Sequence, residues 1–357
     1  MADNNNKKKK KKKVFTIGSA TMDVFVECDD ANIVSVCTKN HCSDFMSYPY
    51  GAKMDMANFS SQVGGGGVNT GMNFANLGFD TSVIFKIGHD IYSEGIMKSF
   101  ENKNVNTNSV IQDKSIGSGF SIILVSFQGD RTVLAHRGAN AHIKLKDINF
   151  DELKTADWFY IAPLNGESNR ILEPLVTFAK ENNIKVCFNA GTTSIKKGFE
   201  YMRKILTTAN VVVRNKEEAS MCSNITVRPD TKDESFSHEI IHPDVVKMLE
   251  KLKVNDYQVI VITDGGKGAY AFDGIHYYYC PTFKSNVVST LGAGDAFAST
   301  FFAALDETNH DVGKSLMLAS VESSSIVSAF GATEGLIPFE ELQKRLSEHP
   351  EYKYTKV

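Results

Sequence analysis

One stretch of this chain carries chemistry in its residue types and spacing: Val288-Ser289-Thr290-Leu291-Gly292-Ala293-Gly294-Asp295-Ala296-Phe297. Small residues run into an aspartate, and apolar residues follow at helical spacing, with Phe297, Phe301, Phe302 and Leu305 on one side. Gly292-Ala293-Gly294 therefore sits at the start of a helix. Backbone amides there lack intrahelical partners, and the helix dipole adds positive potential. Small residues let an anion come close. A carboxylate beside a bound anion repels it, so Asp295 suits a base that takes the proton from a hydroxyl attacking a phosphate. An N-terminal helix cap with a glycine turn fits the same residues, and this stretch alone does not separate the two.

Other residues point the same way, each with a plainer alternative. Gly64-Gly65-Gly66-Gly67-Val68-Asn69 opens a helix that ends near Leu77-Gly78. It lacks the spacing of a Walker A loop or a dinucleotide fingerprint. Asn69 offers a donor and an acceptor to sugar hydroxyls. Asp23 follows the strand Val14–Gly18, just past its end, where open α/β sheets place ligands; a turn residue capping its own loop is the alternative. Asn215 and Glu218 stand three apart after the strand 210–213. An amide and a carboxylate so placed suit the water shell of Mg²⁺, and equally a capping box. Thr263-Asp264-Gly265-Gly266-Lys267-Gly268 ends another strand, as a seat for nucleotide phosphates or as a hairpin turn.

These residues need a frame. Strands are expected at 82–88, 158–162, 185–188, 210–213 and 258–263, alternating with helices near 92–102, 167–182, 196–206 and 245–252. Such alternation with near-continuous apolar strands implies a parallel sheet covered on both faces. Helices near 313–327 and at the polar C-terminus close the chain. A hairpin is expected from 119–127 and 131–136, turning at Gln128-Gly129-Asp130. Short strands at 24–26 and 54–59 add to it, giving a small sheet off the main body. Residues 223–244 read as an exposed loop.

The chain has 357 residues, 42% hydrophobic and 23% charged, which places it among ordinary globular proteins. Formal net charge is −3, although Lys7 to Lys13 alone contribute seven positive charges, so the rest is acidic. That argues against nucleic acid as the partner of the folded body. Residues 1–13 read as a disordered polylysine tail with no secretory signal; such a run suits a nuclear address or an anionic tether, or is a solvated tail. No stretch reaches the length of a membrane span. Cys28, Cys37, Cys42, Cys187, Cys222 and Cys280 form no C-x-x-C pair and read as free thiols of a reducing, cytoplasmic compartment. Cys37, His41 and Cys42 lack a second ligand pair at zinc spacing.

In order and spacing the motifs resemble the PfkB, or ribokinase-like, carbohydrate kinases. Thr290 to Asp295 is similar to that family's C-terminal signature, and Gly64 to Gly78 to its N-terminal one. Asn215-Lys216-Glu217-Glu218 is similar to its N-x-x-E motif; Arg137-Gly138-Ala139-Asn140 and Thr263 to Gly268 also fit. The likeness covers about residues 14–345. It implies a three-layer αβα sandwich over 14–357, with a mostly parallel central sheet and a small β-sheet lid from about 24–62 and 116–137. It implies ATP and Mg²⁺ as cofactors, Asp295 as base, and the amides of Gly292, Ala293 and Gly294 as anion hole. Asp23, Gly65 and Asn69 would hold the sugar, Asn215 and Glu218 would position Mg²⁺ mainly through water, and Thr263, Gly265 and Gly268 would line the nucleotide seat. A nucleoside is the alternative acceptor, and a non-catalytic ligand-binding relative the alternative role.

Two positions depart from the pattern. The family's signature usually begins with an aspartate that helps hold a monovalent cation, and here Ser289 stands there, which puts K⁺ activation in doubt. Gly66 stands where many relatives carry a side chain. The acceptor, its hydroxyl and the oligomeric state are not legible, although lid sheets can pair two copies into a homodimer. Phe45, Tyr48, Tyr50 and Phe59 are expected in the lid core rather than stacked on a base.

Overall fold

The computed structural model describes residues 11–27, 31–39, 42–126, 131–189, 191–228 and 241–357. Cys28, His41, the turn 128–130 and most of the loop expected at 223–244 lie outside them, as do the first ten residues of the expected tail. Lys13, placed in that tail by composition, instead opens the first strand. Its backbone N–H donates to the Asp157 carboxylate at 2.8 Å.

Ten strands form the main sheet. Seven are parallel, in the order Val105–Asn106, Asp80–Ile84, Lys13–Ile17, Trp158–Ile161, Lys185–Phe188, Val211–Asn215 and Val259–Thr263. Ala269–Phe272, Tyr277–Cys280 and Thr355–Lys356 extend it antiparallel. The parallel strands are apolar on both faces because both faces are covered. On one face Phe15, Phe159 and Phe188 pack against Leu175, Met202 and Met248 of the helices Leu172–Glu181, Phe199–Leu206 and Pro243–Leu252. On the other, Val14, Trp158, Val213 and Val261 pack against Phe74, Phe301 and Leu316 of the helices Gly66–Asn76, Ala293–Glu307 and Val312–Val327.

The chain runs outward from Lys13–Ile17 to one side, then returns to Trp158–Ile161 on the other. That reversal opens a crevice at the C-terminal strand ends, the usual ligand position in such sheets. Gly18 and Ala162 follow those two strands, and a Cβ on Gly18 would meet the Gly67 amide at 2.6 Å and Ala162 Cβ at 2.9 Å. The helix Gly66–Asn76 therefore begins in the crevice.

A separate four-stranded sheet has the order Arg131–His136, Gly119–Val125, Thr21–Glu27, Asn58–Gly64. Asp23 is an internal residue of this sheet, not a loop residue beyond the first strand; Gly18, Ser19 and Ala20 suffice to leave one sheet and enter the other. The strand expected at 54–59 is displaced to Asn58–Gly64. Phe45, Tyr50 and Phe59 are exposed rather than core. Phe59 pairs with Val26, three residues from Asp23, so strand alternation turns it to the opposite face.

The hairpin Asn32–Cys37 and Cys42–Ser47 stands apart, and here the cysteine expectation fails: Cys37 and Cys42 form a disulfide. The strand register sets them directly opposite, with Cα atoms 4.0 Å apart, close enough to bridge. Cys187, Cys222 and Cys280 are free and buried. The helix expected over 196–206 starts later, as Phe199–Leu206, because Gly198 takes φ +91° at its start; a separate turn of helix, Thr192–Ile195, precedes it. No helix among the described residues is long and apolar enough to cross a membrane.

Candidate active site

Two helices meet at the crevice, Gly66–Asn76 and Ala293–Glu307, joined by asparagines one turn apart. Asn69 Nδ2 donates to Asp295 Oδ2 at 2.8 Å. Asn73 Nδ2 lies 2.8 Å from both Ser299 Oγ and Thr300 Oγ1, and 3.3 Å from the Ala296 carbonyl. This is the i, i+4 stripe of one helix face, used for polar rather than apolar contact. Asn73 is wholly buried. It was missed in the sequence, where the pair Asn69/Asn73 was its only signal.

The two helix starts differ. At the first, Gly65 takes φ +98°, and the Ser19 carbonyl accepts from Gly67 N at 2.9 Å and Val68 N at 3.4 Å. At the second, Gly292 takes φ +76° and provides no side-chain cap. Among the described residues nothing accepts from the amides of Ala293, Gly294 or Asp295. Ala293 and Gly294 line a cavity of about 970 Å³ together with Asn215, Thr263, Gly265 and Gly268. The cavity thus collects most residues expected to seat a nucleotide. Thr263 ends a strand that turns back through Gly265–Lys267 into Ala269–Phe272, so the loop is a hairpin turn, and that turn lines the cavity.

Asp295 lies in the first turn of its helix. Burial raises its carboxyl above the ordinary aspartate range, while the Asn69 hydrogen bond pulls it back. A carboxylate held partly toward its protonated form is primed to accept a proton. Asp23 is also raised by burial, against hydrogen bonds from Ser121 and Thr21. The Ser121 hydroxyl lies 2.5 Å from Asp23 Oδ1. The glycine run connects the two acids: a side chain on Gly64 would strike the Asp23 carboxylate, and a Cβ on Gly66 would lie 2.8 Å from Ala162 Cβ and 3.7 Å from Asp295 Oδ1. This accounts for glycine at position 66: Ala162 fills the space a side chain needs.

A family model described as pfkB family carbohydrate kinase matches residues 11–339. The chain belongs to that family. Its enzymes are kinases acting on alcohol groups, and this kinase resembles several. The bifunctional ribokinase/ribose-5-phosphate isomerase A of Fructilactobacillus sanfranciscensis is 25% identical over 77% of this chain, which spans 48% of that longer protein. Arabidopsis thaliana ribokinase, solved with ribose and ATP, superposes with TM-score 0.72 at 19% identity, covering 94% of this chain and 99% of that one. The Methanocaldococcus jannaschii nucleoside kinase gives 0.73 at 19% identity, covering 95% and 99%.

The family implies metals, and the donor sets of the kinase can be tested for them. Asn215 and Glu218 form a complete capping box: Glu218 N donates to Asn215 Oδ1 at 2.8 Å and Asn215 N to Glu218 Oε2 at 3.2 Å. Both readings of that motif thus share one geometry. The box occupies one oxygen of each side chain, and no cluster of three acidic, His or Cys ligands exists among the described residues. The pair fits Mg²⁺ through water, not by direct chelation. Burial raises the Glu218 carboxyl, Arg214 opposes this, and the charge of Asp295 adds to the rise. Two carboxylates whose charges oppose each other in this way suit a divalent cation. Ser289 does not fit a monovalent cation in the same way. It is neutral, and its hydroxyl accepts from Leu291 N at 3.3 Å.

Two inner-face residues of the small sheet were not read from sequence. Arg131 Nη2 donates to Thr290 Oγ1 at 2.8 Å, which brings a guanidinium to the signature loop. Gln62, opposite Asp23, donates from Nε2 to the Phe330 carbonyl at 3.1 Å, and Phe25 meets the Phe330 ring with centroids 5.0 Å apart. Neither has a local signal, because each partner is more than 150 residues away.

Proposed function

We propose that this kinase transfers the γ-phosphoryl group of ATP, as its Mg²⁺ complex, to a hydroxyl of a monosaccharide. The observation that carries the reading is the junction of Asp295, held by Asn69, with the uncapped amides of its own helix start. In the reaction the acceptor oxygen attacks the γ-phosphorus, the bond from that phosphorus to the β,γ-bridging oxygen breaks, and ADP leaves. Asp295 takes the hydroxyl proton. The amides of Gly292, Ala293 and Gly294 stabilise the charge on the transferring group, a role that needs little movement and so works mainly by positioning and electrostatics.

Asp23, Gly65 and Asn69 hold the sugar. Asn69 Oδ1 is buried without a partner among the described residues, an acceptor that a sugar hydroxyl satisfies. Thr263, Gly265 and Gly268 seat the nucleotide, and Asn215 and Glu218 would hold Mg²⁺ through its water shell. Mg²⁺, when bound, neutralises phosphate charge. The small sheet acts as the lid that keeps water from the phosphoryl group. A sugar is favoured over a nucleoside because Asp23 and the unpartnered Asn69 Oδ1 suit hydroxyls, while Phe59 turns to the sheet face opposite Asp23.

The test is ADP release from Mg·ATP across pentoses, hexoses, sugar phosphates and nucleosides, beside Asp295→Asn. One strong acceptor whose signal disappears in the variant supports the reading. Equal turnover by parent and variant removes Asp295 as the base, and a nucleoside as best acceptor removes the sugar assignment.

A further inference from the structure

The family's monovalent cation brings positive charge near the anion hole, and this chain lacks the aspartate that helps hold it. Position 289 is a serine whose hydroxyl is engaged by Leu291 N and whose own N–H is committed to the Val327 carbonyl at 3.1 Å. A neutral oxygen offsets much less of the cost of stripping water from a cation than a carboxylate does. One residue further on, the Thr290 hydroxyl receives Arg131 of the small sheet at 2.8 Å. Thr290 lines the large cavity and lies two residues before Gly292, the cap of the open helix start. The guanidinium has further N–H groups beyond the one used. No carboxylate among the described residues pairs with it.

We propose that Arg131 is the built-in substitute for the monovalent cation: a fixed positive charge, delivered by the small sheet to the anion hole, that lets this kinase work without K⁺. The proposal rests on the phosphoryl-transfer reading above. Arg131 lies on the same face of its sheet as Asp23 and Gln62, by the registers of Val125 with Arg131 and of Val125 with Glu27. The sheet that holds the acceptor thereby also carries the charge. An arginine suits the role because its planar fork can hold Thr290 with one arm and a phosphoryl oxygen with another.

The experiment measures binding of Mg·ADP with tetrafluoroaluminate, which mimics the transferring group, in potassium chloride and in tetramethylammonium chloride at equal ionic strength. The parent should bind the analogue within about twofold in both salts. Arg131→Met should weaken it roughly tenfold to hundredfold in both, the scale expected for one lost contact to a transition-state anion. Arg131→Lys should recover part of that loss. Mg·ADP alone should bind all three alike, which a merely misplaced lid or damaged nucleotide seat would not give. A tenfold or greater gain for the parent in potassium overturns the proposal, as does Arg131→Met binding the analogue like the parent. So does a parent that binds Mg·ADP but not the analogue. Analogue binding as expected, with no ADP released to any acceptor, counts against phosphoryl transfer and leaves the charge assignment standing.

Discussion

Two helices in this kinase begin in glycine-rich sequence, and they use it for opposite ends. At Gly65 to Gly67 the backbone is close-packed: a Cβ on Gly65 would lie 2.5 Å from the Ser19 carbonyl, which already occupies the amides of Gly67 and Val68. Glycine there lets two protein segments touch. At Gly294 an added Cβ meets nothing within 4 Å, and the amides around it find no acceptor among the described residues. Glycine there leaves room for something that is not protein. Both starts look alike in sequence, yet only the second is available to an anion. A glycine run before a helix reports a close approach and does not say what approaches.

Substitutions can break or sharpen that contrast. Asp295→Asn, at the open start, should lower kcat by about 10²–10⁴ while the protein stays folded. Gly65→Ala, at the plugged start, should cost more than about 2 kcal/mol, from its positive φ and the Ser19 clash together, read as a large drop in melting temperature or in soluble yield. Gly294→Ala should leave stability within about 0.5 kcal/mol of the parent, and should raise the KM for ATP or lower kcat about tenfold. If it unfolds the protein, the open start is packed after all and the contrast fails.

The smallest effect is in pH. Since burial raises the Asp295 carboxyl, the acid limb of kcat/KM should lie above the ordinary aspartate range. Asn69→Leu removes the bond that opposes the rise, so that limb should move further up in pH; a downward move would contradict the assignment. Stability has the matching sign. A folded-state carboxyl raised above its unfolded value contributes fully below the unfolded pKa and loses that contribution as pH rises through the folded one. Asp295→Asn should therefore melt no lower than the parent at neutral pH, and differential melts at acid and neutral pH would check it.

Much of the frame was legible because it rests on local pattern. Trp158–Ile161 and Val259–Thr263 read as strands from unbroken apolar runs, and Asn215 with Glu218 read as a cap because the motif spans one turn. What stayed hidden depends on distant partners. Thr355–Lys356 is a strand only through pairing with Tyr278 and Tyr279. Tyr277–Cys280, all aromatic and thiol residues, went unread beside its stronger neighbours. Phe59 gives no local clue to the face it takes. The Cys37–Cys42 bridge required a hairpin register that composition does not carry, and Arg131 looked like any edge-strand arginine.

Asn69 and Asn73 find their partners more than 220 residues further along the chain. During synthesis the first helix is complete long before Ala293–Glu307 emerges, so its polar stripe must wait, hydrated, for the segment that buries it. Contacts of such sequence separation are slow to form and expose intermediates to aggregation. No amino-terminal fragment ending before residue 295 contains the site. Cell-free synthesis should accordingly give activity only as the last quarter of the chain is released, however early the central strands settle.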